Sequence, residues 1–174
     1  MNLDYNKKII LNIINKKENL GKTAVMKMVF ILQQVHNVNL GYKFDIYTYG
    51  PYAAKVTEDL EALIQRRLVD ASIYEYNNSP AYKLAISNEG KNIISPLSEG
   101  DEQNILRVLD LFGEKKATDL ELDSTIIYIK NRYVKNEWDL AKEDIVNDVH
   151  EIKPHFSCDA ISSAYDSLER AGIF

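Results

Sequence analysis

Three histidines and a single cysteine are the natural raw material for a metal centre or an activated nucleophile, and three of the four lie close together: His150, His155 and Cys158. Imidazole and thiolate at this spacing could offer three zinc ligands, with Asp148 or Asp159 as a fourth. Pro154 interrupts the run, however, and the spacing fits no standard zinc module. The favoured reading is a helix end, where His suits the negative end of the dipole, followed by a cap and a buried thiol. Gly21-Lys22-Thr23 has the tail of a phosphate-binding loop, but Lys16 stands where the first glycine is required and a helix precedes it instead of a strand. His36 falls near a helix end. The neighbouring carboxylates Glu58-Asp59 and Glu143-Asp144 read as solvated helix faces. No nucleophile, base and orienting group share a recognisable pattern. The expectation is a non-enzymatic protein without metal or cofactor.

Binding chemistry is better represented. Lys7, Lys8, Lys16, Lys17, Lys22, Lys27 and Lys55 lie on or beside helical stretches, and Tyr74, Tyr76 and Lys83 lie on a strand pair; these are the candidate contacts to DNA, since phosphate attraction supplies most non-specific affinity. Glu58, Asp59 and Glu61 share a helix with Lys55 and would repel phosphates there. Tyrosine is concentrated: seven of 11 fall between Tyr42 and Tyr82. Tyr42 and Tyr82 are expected in the core. Tyr47, Tyr49 and Tyr52, around Gly50 and Pro51, are candidates for a protein-binding patch, because tyrosine combines rigid area with a polar handle. The competing reading has Tyr-Gly-Pro-Tyr clamping a loop into a helix start.

The elements that position these residues follow from periodicity. Leu3, Ile9, Ile10, Ile13 and Ile14 predict an amphipathic helix over 3–17; Val25, Met28, Val29, Leu32 and Val35 predict a second after Gly21. Tyr42, Phe44 and Ile46 alternate with polar neighbours, as in a short strand. Pro51 is expected at the first position of a third helix, with Val56, Leu60, Leu63 and Ile64 inward. Ala71–Tyr76 and Ala81–Ile86 read as a hairpin turning at Asn77-Asn78-Ser79-Pro80, and a helix over about 88–94 follows. This is the order of a winged helix-turn-helix whose hairpin is the wing. Beyond Pro96 the pattern is helical only. Ser98 caps one helix, the box Thr118-x-x-Glu121 opens another, Trp138, Ala141, Ile145, Val149 and Ile152 mark a third, and Ser157 caps the last, which stops at Gly172. Leu168–Phe174 loosely echoes Leu63–Val69.

The expected fold is therefore mainly α: a winged helix-turn-helix-like core with a two-stranded wing, residues 1–96, and an acidic C-terminal helical extension, residues 97–174, packed on it. Charge divides at the same place. The first part carries 12 Lys and Arg against 9 Asp and Glu, the second 9 against 17, for a total of -5 over 174 residues. A globally basic nucleic-acid-coating protein is excluded, whereas a basic N-terminal face is not. One cysteine excludes a disulfide scaffold, and the N-terminal IILNII patch is too short for a signal or a membrane span. A cytoplasmic protein is expected.

The stretches Gly21–Gln34, Tyr42–Tyr52 and Val56–Leu60, above all Tyr-x-Tyr-Gly-Pro-Tyr, resemble the YwgA-type family of bacterial proteins. More remotely, Tyr49-Gly50-Pro51 after a Lys-x-x-Phe helix is similar to the Panacea or SocA-like antitoxin domain. The resemblance implies a winged-helix-like core and a regulatory, toxin-antitoxin or defence role; it implies no catalytic residues. The leading expectation is DNA binding through the N-terminal half, as a homodimer; the alternative is antitoxin-like binding of a partner protein through the Tyr-Gly-Pro surface, and an enzyme is the least favoured third reading.

Overall fold

The computed structural model describes residues 3–76, 79–139 and 141–174, with backbone alone for Tyr76 and Ser79. The expected turn residues Asn77 and Asn78 lie outside the described residues. The protein is mainly helical: among the described residues there are eight helices and two antiparallel two-stranded ribbons. None of these helices is long and apolar enough to cross a membrane.

Two compact units form, and their limits differ from the composition change at 95–100. The first comprises residues 1–43 and 53–114; the second comprises residues 44–52 and 115–174. The stretch beyond Pro96 therefore contributes a helix to the first unit, and the Tyr-rich segment belongs to the second.

In the first unit, α1 (Tyr5–Lys16) starts where the Asp4 carboxylate accepts the Lys7 N–H, and α2 (Lys22–Gln34) starts after Gly21 with no side-chain cap. The Gly-Lys-Thr run is thus a plain helix start. α3 (Ala54–Gln65) buries Val56, Leu60 and Leu63. The strands β3 (Val69–Tyr76) and β4 (Ser79–Ile86) pair from Val69↔Ile86 to Tyr76↔Ser79. Ser87 caps α4 (Asn88–Ile93), and Ser98 caps α5 (Glu99–Phe112), the one of the two caps that the sequence predicts. α1, α2 and α3 pack on one another, β4 lies on α1 and α2, β3 on α3, and α5 on α1 and α2. Leu20, between α1 and α2, forms an antiparallel bridge to Leu84 of β4. Alternation puts Val69, Leu84 and Ile86 in the core, while Ile73, on the same face further out, is 66% exposed. Tyr42 is buried as expected; Tyr82 is only half-buried.

The second unit contains β1 (Asp45–Tyr47), β2 (Gly50–Tyr52), α6 (Ala117–Lys135), α7 (Lys142–Ile152) and α8 (Cys158–Arg170). α6 packs against β2, α7 and α8. Leu120 to Ile127 are all buried, so this helix is enclosed all round over two turns, as central helices are. Its buried hydroxyls bond internally: Ser124 and Thr125 donate to the Glu121 carbonyl at 3.2 and 2.7 Å.

Three expected boundaries are corrected. Pro51 is not a helix N1 residue: it pairs with Ile46 in a ribbon, and α3 begins only at Ala54. A proline is tolerated there because a two-stranded ribbon has outer edges where no N–H is required. Thr118-x-x-Glu121 is not a capping box, since Lys116 is the N-cap of α6 and the Glu121 side chain is committed elsewhere. Trp138 lies before α7, 50% exposed, with its ring edge-on to Tyr133 at 5.3 Å. It falls outside because α6 closes in a Schellman turn: Glu137 adopts φ 55°, its N–H meets the Val134 carbonyl, and the Trp138 N–H meets that of Tyr133. Arg67 ends α3 and Gly172 ends α8 with the same pair of bonds. The echo between Leu63–Val69 and Leu168–Phe174 is a shared helix stop.

Candidate interaction surface

The hairpin of β1 and β2 turns through Thr48 and Tyr49 into Gly50, whose φ of 85° is left-handed backbone that favours glycine. Glycine is needed for space as well. A Cβ at this position would lie 3.1 Å from Thr125 Oγ1, 3.2 Å from Ser124 Oγ and 3.3 Å from the Glu121 carbonyl oxygen. Gly50 and Pro51 are both buried, so β2 is pressed onto the small polar residues of α6.

A buried lysine fixes the other side. Lys153, 3% exposed at the end of α7, donates from Nζ to the Tyr47 carbonyl at 2.9 Å and to the Thr48 carbonyl, and pairs with Glu121 Oε1 at 2.9 Å. His155 Nε2 approaches the same oxygen at 3.4 Å. Removing an ammonium and a carboxylate from water is costly, and the arrangement persists because each has a charged partner and the ammonium also has two carbonyls. Sequence reasoning missed this pair. The available signal was Lys153 standing immediately before Pro154 on the apolar side of a helix end.

The anchors leave the tip facing solvent. Tyr47 is 59% and Tyr49 67% exposed. Tyr52 is half-buried, with its ring edge-on to Tyr47 at 5.2 Å. An open groove of about 530 Å³ runs beside them, lined by Ile46, Tyr47, Thr48, Ile152, Lys153 and His155. The five residues proposed for partner contact thus divide: Gly50 and Pro51 clamp, Tyr47 and Tyr49 are displayed, and Tyr52 bridges the two roles.

The proposed DNA contacts are less free than expected. Lys7 pairs with Asp4 at 2.5 Å and Asp59 at 3.1 Å, and its hydrogen bond to Asp4 raises its pKa. Lys16 meets Glu102 of α5 at 2.5 Å, and Lys17 meets Glu114. Lys22 meets Glu61 at 2.5 Å and lies over the Tyr82 ring at 4.0 Å. Lys55 pairs with Glu58 at 3.1 Å and Asp59 at 3.4 Å. Lys27 is 2% exposed, a core residue where a helix edge was expected, so it cannot reach a phosphate. Lys8 is half-buried. Lys83 is exposed, over the half-exposed Tyr74 ring at 4.6 Å; the Tyr76 side chain lies outside the described residues. Because α5 folds into the first unit, that unit carries 13 Lys and Arg against 13 Asp and Glu, and the second 8 against 13. The basic N-terminal half is not a basic folded body.

Asp59 is a further correction. Read as part of a solvated acidic face, it is 2% exposed and accepts the Tyr42 hydroxyl at 2.8 Å beside Lys7. Burial, with the Asp59 hydrogen bond behind it, pushes the Tyr42 pKa far up, so this phenol stays protonated as a donor. Tyr42 is also held by Gln33, which accepts its N–H at 2.9 Å and donates to its carbonyl at 2.8 Å. The cluster ties the end of α2 to α3.

The remaining chemistry-bearing residues are separately engaged. His150 Nδ1 lies 2.7 Å from the Phe156 carbonyl, His155 stacks on Phe156 at 4.2 Å, and Cys158, expected to be buried, is instead exposed because it opens α8 right after the Ser157 cap. Among the described residues no group of three His, Cys, Asp or Glu is placed to hold a metal ion. In comparisons by sequence, no protein-family model and no curated protein matches the chain.

Proposed function

We propose that the protein is a non-enzymatic regulatory protein that acts by binding a partner protein through the tyrosine hairpin, in an antitoxin-like or defence-associated role. The observation that supports this reading is the contrast within one segment: Tyr47 and Tyr49 are displayed to solvent on a hairpin whose backbone is fixed from beneath by Lys153 and by Gly50 against α6. Two rigid aromatic side chains on a pre-set backbone lose little entropy on docking, the property that makes tyrosine frequent at interface hot spots. The excess of carboxylates in this unit favours a partner with a basic contact face. The test is co-purification of a stoichiometric partner from cells that encode the protein. Loss of that partner on Tyr47→Ala or Tyr49→Ala, with unchanged circular dichroism, is expected; a partner retained by the double variant would sink the reading.

A second reading, DNA binding, is favoured by one observation. The order α1, Leu20 bridged to β4, α2, α3, β3, β4 supports a winged-helix reading, in which Lys83 and Tyr74 would lie on the wing. The paired lysines and the balanced charge of this unit weigh against it. A fluorescence-anisotropy titration with duplex DNA at 50 and 200 mM salt decides: binding that weakens steeply with salt and with Lys83→Glu would support it, and no binding at low salt would end it.

A further inference from the structure

The backbone of β1 carries a feature that the exposed tyrosines do not explain. β1 pairs with β2 through Asp45↔Tyr52, Ile46↔Pro51 and Tyr47↔Gly50. In an antiparallel ladder, pairs that exchange two bonds alternate with pairs whose polar groups point outward. Pro51 has no N–H to exchange, so the bonded pairs are Asp45↔Tyr52 and Tyr47↔Gly50. The N–H and C=O of Ile46 therefore point away from β2. Among the described residues no strand pairs with this edge of β1, and the groove of about 530 Å³ runs beside it. Its lining also includes Ile152, 38% exposed, with Lys153 and His155. The groove thus brings together the outward donor and acceptor of Ile46, an exposed aliphatic side chain and Tyr47.

We propose that this groove receives an extended segment of the partner protein, which adds a strand to the free edge of β1 by bonding to the Ile46 N–H and C=O. The proposal rests on the partner-binding reading above and specifies its mode. An extended backbone is the occupant that matches an outward donor–acceptor pair, as in other cases of strand addition. Alternate side chains of the added strand would point toward Ile152 and Tyr47. The charge of the unit selects the rest: the one lysine in the lining, Lys153, is paired with Glu121, and the unit as a whole carries 13 acidic against 8 basic residues, with Asp45 and Glu151 exposed one position before the lining residues Ile46 and Ile152. The incoming segment carries Lys or Arg beside an aliphatic anchor.

Position 46 permits a clean test, since its N–H takes no part in the ribbon. Ile46→Pro deletes the outward donor without removing a ladder bond, and Ile46→Val keeps it. Peptides are selected on the full-length protein from a random dodecapeptide library, synthesised, and titrated by fluorescence anisotropy against wild type, Ile46→Val and Ile46→Pro. The expected result is enrichment of Lys or Arg, binding to Ile46→Val within about twofold of wild type, and a loss of about tenfold on Ile46→Pro, the cost of one unmade bond. In wild type the Ile46 amide, read by hydrogen exchange, should exchange freely alone and become protected when peptide is bound. That readout decides the matter even if Ile46→Pro misfolds. No selectable peptide, enrichment of Asp or Glu, or an Ile46 amide that still exchanges freely in the complex would overturn the proposal. If the natural partner is lost on Tyr47→Ala yet the Ile46 amide stays unprotected in its complex, strand addition falls while the partner reading stands.

Discussion

The two ribbons of this protein are held in place by opposite means. β3–β4 has eight-residue strands and alternates in register with the core, so Val69, Leu84 and Ile86 anchor its root by apolar burial alone. Its outer part runs past the helices, leaving Ile73 exposed. β1–β2 has strands of three residues, too short to bury a comparable face. It depends instead on a glycine that lets it touch α6 and on a buried ammonium that bonds its turn carbonyls. The lesson is that a long ribbon can be secured by pattern, whereas a short one needs particular atoms beneath it. The short ribbon should consequently be brittle to single substitutions and the long one tolerant.

The sharpest test of that contrast is Lys153→Met. The methionine fills similar space but leaves Glu121 buried without its cation and removes the ammonium bonds to the Tyr47 and Thr48 carbonyls, which should cost about 3–5 kcal/mol. The readout is the urea midpoint followed by fluorescence of Trp138, the single tryptophan, which lies in the same unit. Adding Glu121→Leu should recover much of the loss, because an apolar pair is tolerated where a lone charge is not. A Lys153→Met protein as stable as wild type would mean that the ribbon is not held by this contact.

Gly50→Ala should be next in size. Its Cβ would meet Thr125, Ser124 and the Glu121 carbonyl at 3.1–3.3 Å in a backbone region that disfavours side chains, a combination worth about 2–3 kcal/mol. The matched change on the long ribbon is Ile73→Ser, at a position 66% exposed, which should move the urea midpoint by no more than about 0.5 kcal/mol. Equal losses at the two positions would break the comparison.

This asymmetry also explains what could be read from the sequence. The long ribbon, the caps at Ser98 and Ser157 and the inward stripes of the helices are legible, because each is a local pattern with a local cause. The short ribbon is half legible: the alternation at Tyr42–Tyr47 is visible, but its partner strand reads as a helix start, since Gly-Pro suits both. Its support was hidden, because Glu121 and Lys153 lie 32 positions apart on different helices, and Glu121 also completes a motif that reads locally as a cap. The pairing of the lysines is hidden for the same reason. Lys16 and Lys17 meet carboxylates on or beside α5, some 90 residues away, a distance no window of sequence spans. Of the candidate surface, the exposed tyrosines were anticipated, and the outward edge of β1 was not, because it follows from register.

The smallest expected contrast is in pH. His36, just past α2 in the unit that carries the long ribbon, has its Nε2 buried without a hydrogen-bond partner, whereas His150 of the other unit has Nδ1 against a carbonyl and His155 is exposed. Burial first, and then the nearby Arg107 charge, hold the His36 pKa below its ordinary 6.5. The unfolded chain therefore takes up a proton at this site before the folded one does, so stability rises with pH and is lost as the pH falls from about 6.5 through the lower folded value. His36→Gln removes the titration and should flatten the dependence. Hydrogen exchange at Val69 and Leu84, followed from pH 7.5 to 5.5 after correction for intrinsic rates, should show protection declining in wild type and declining less in the variant. Parallel curves would place the acid sensitivity of this unit on other groups.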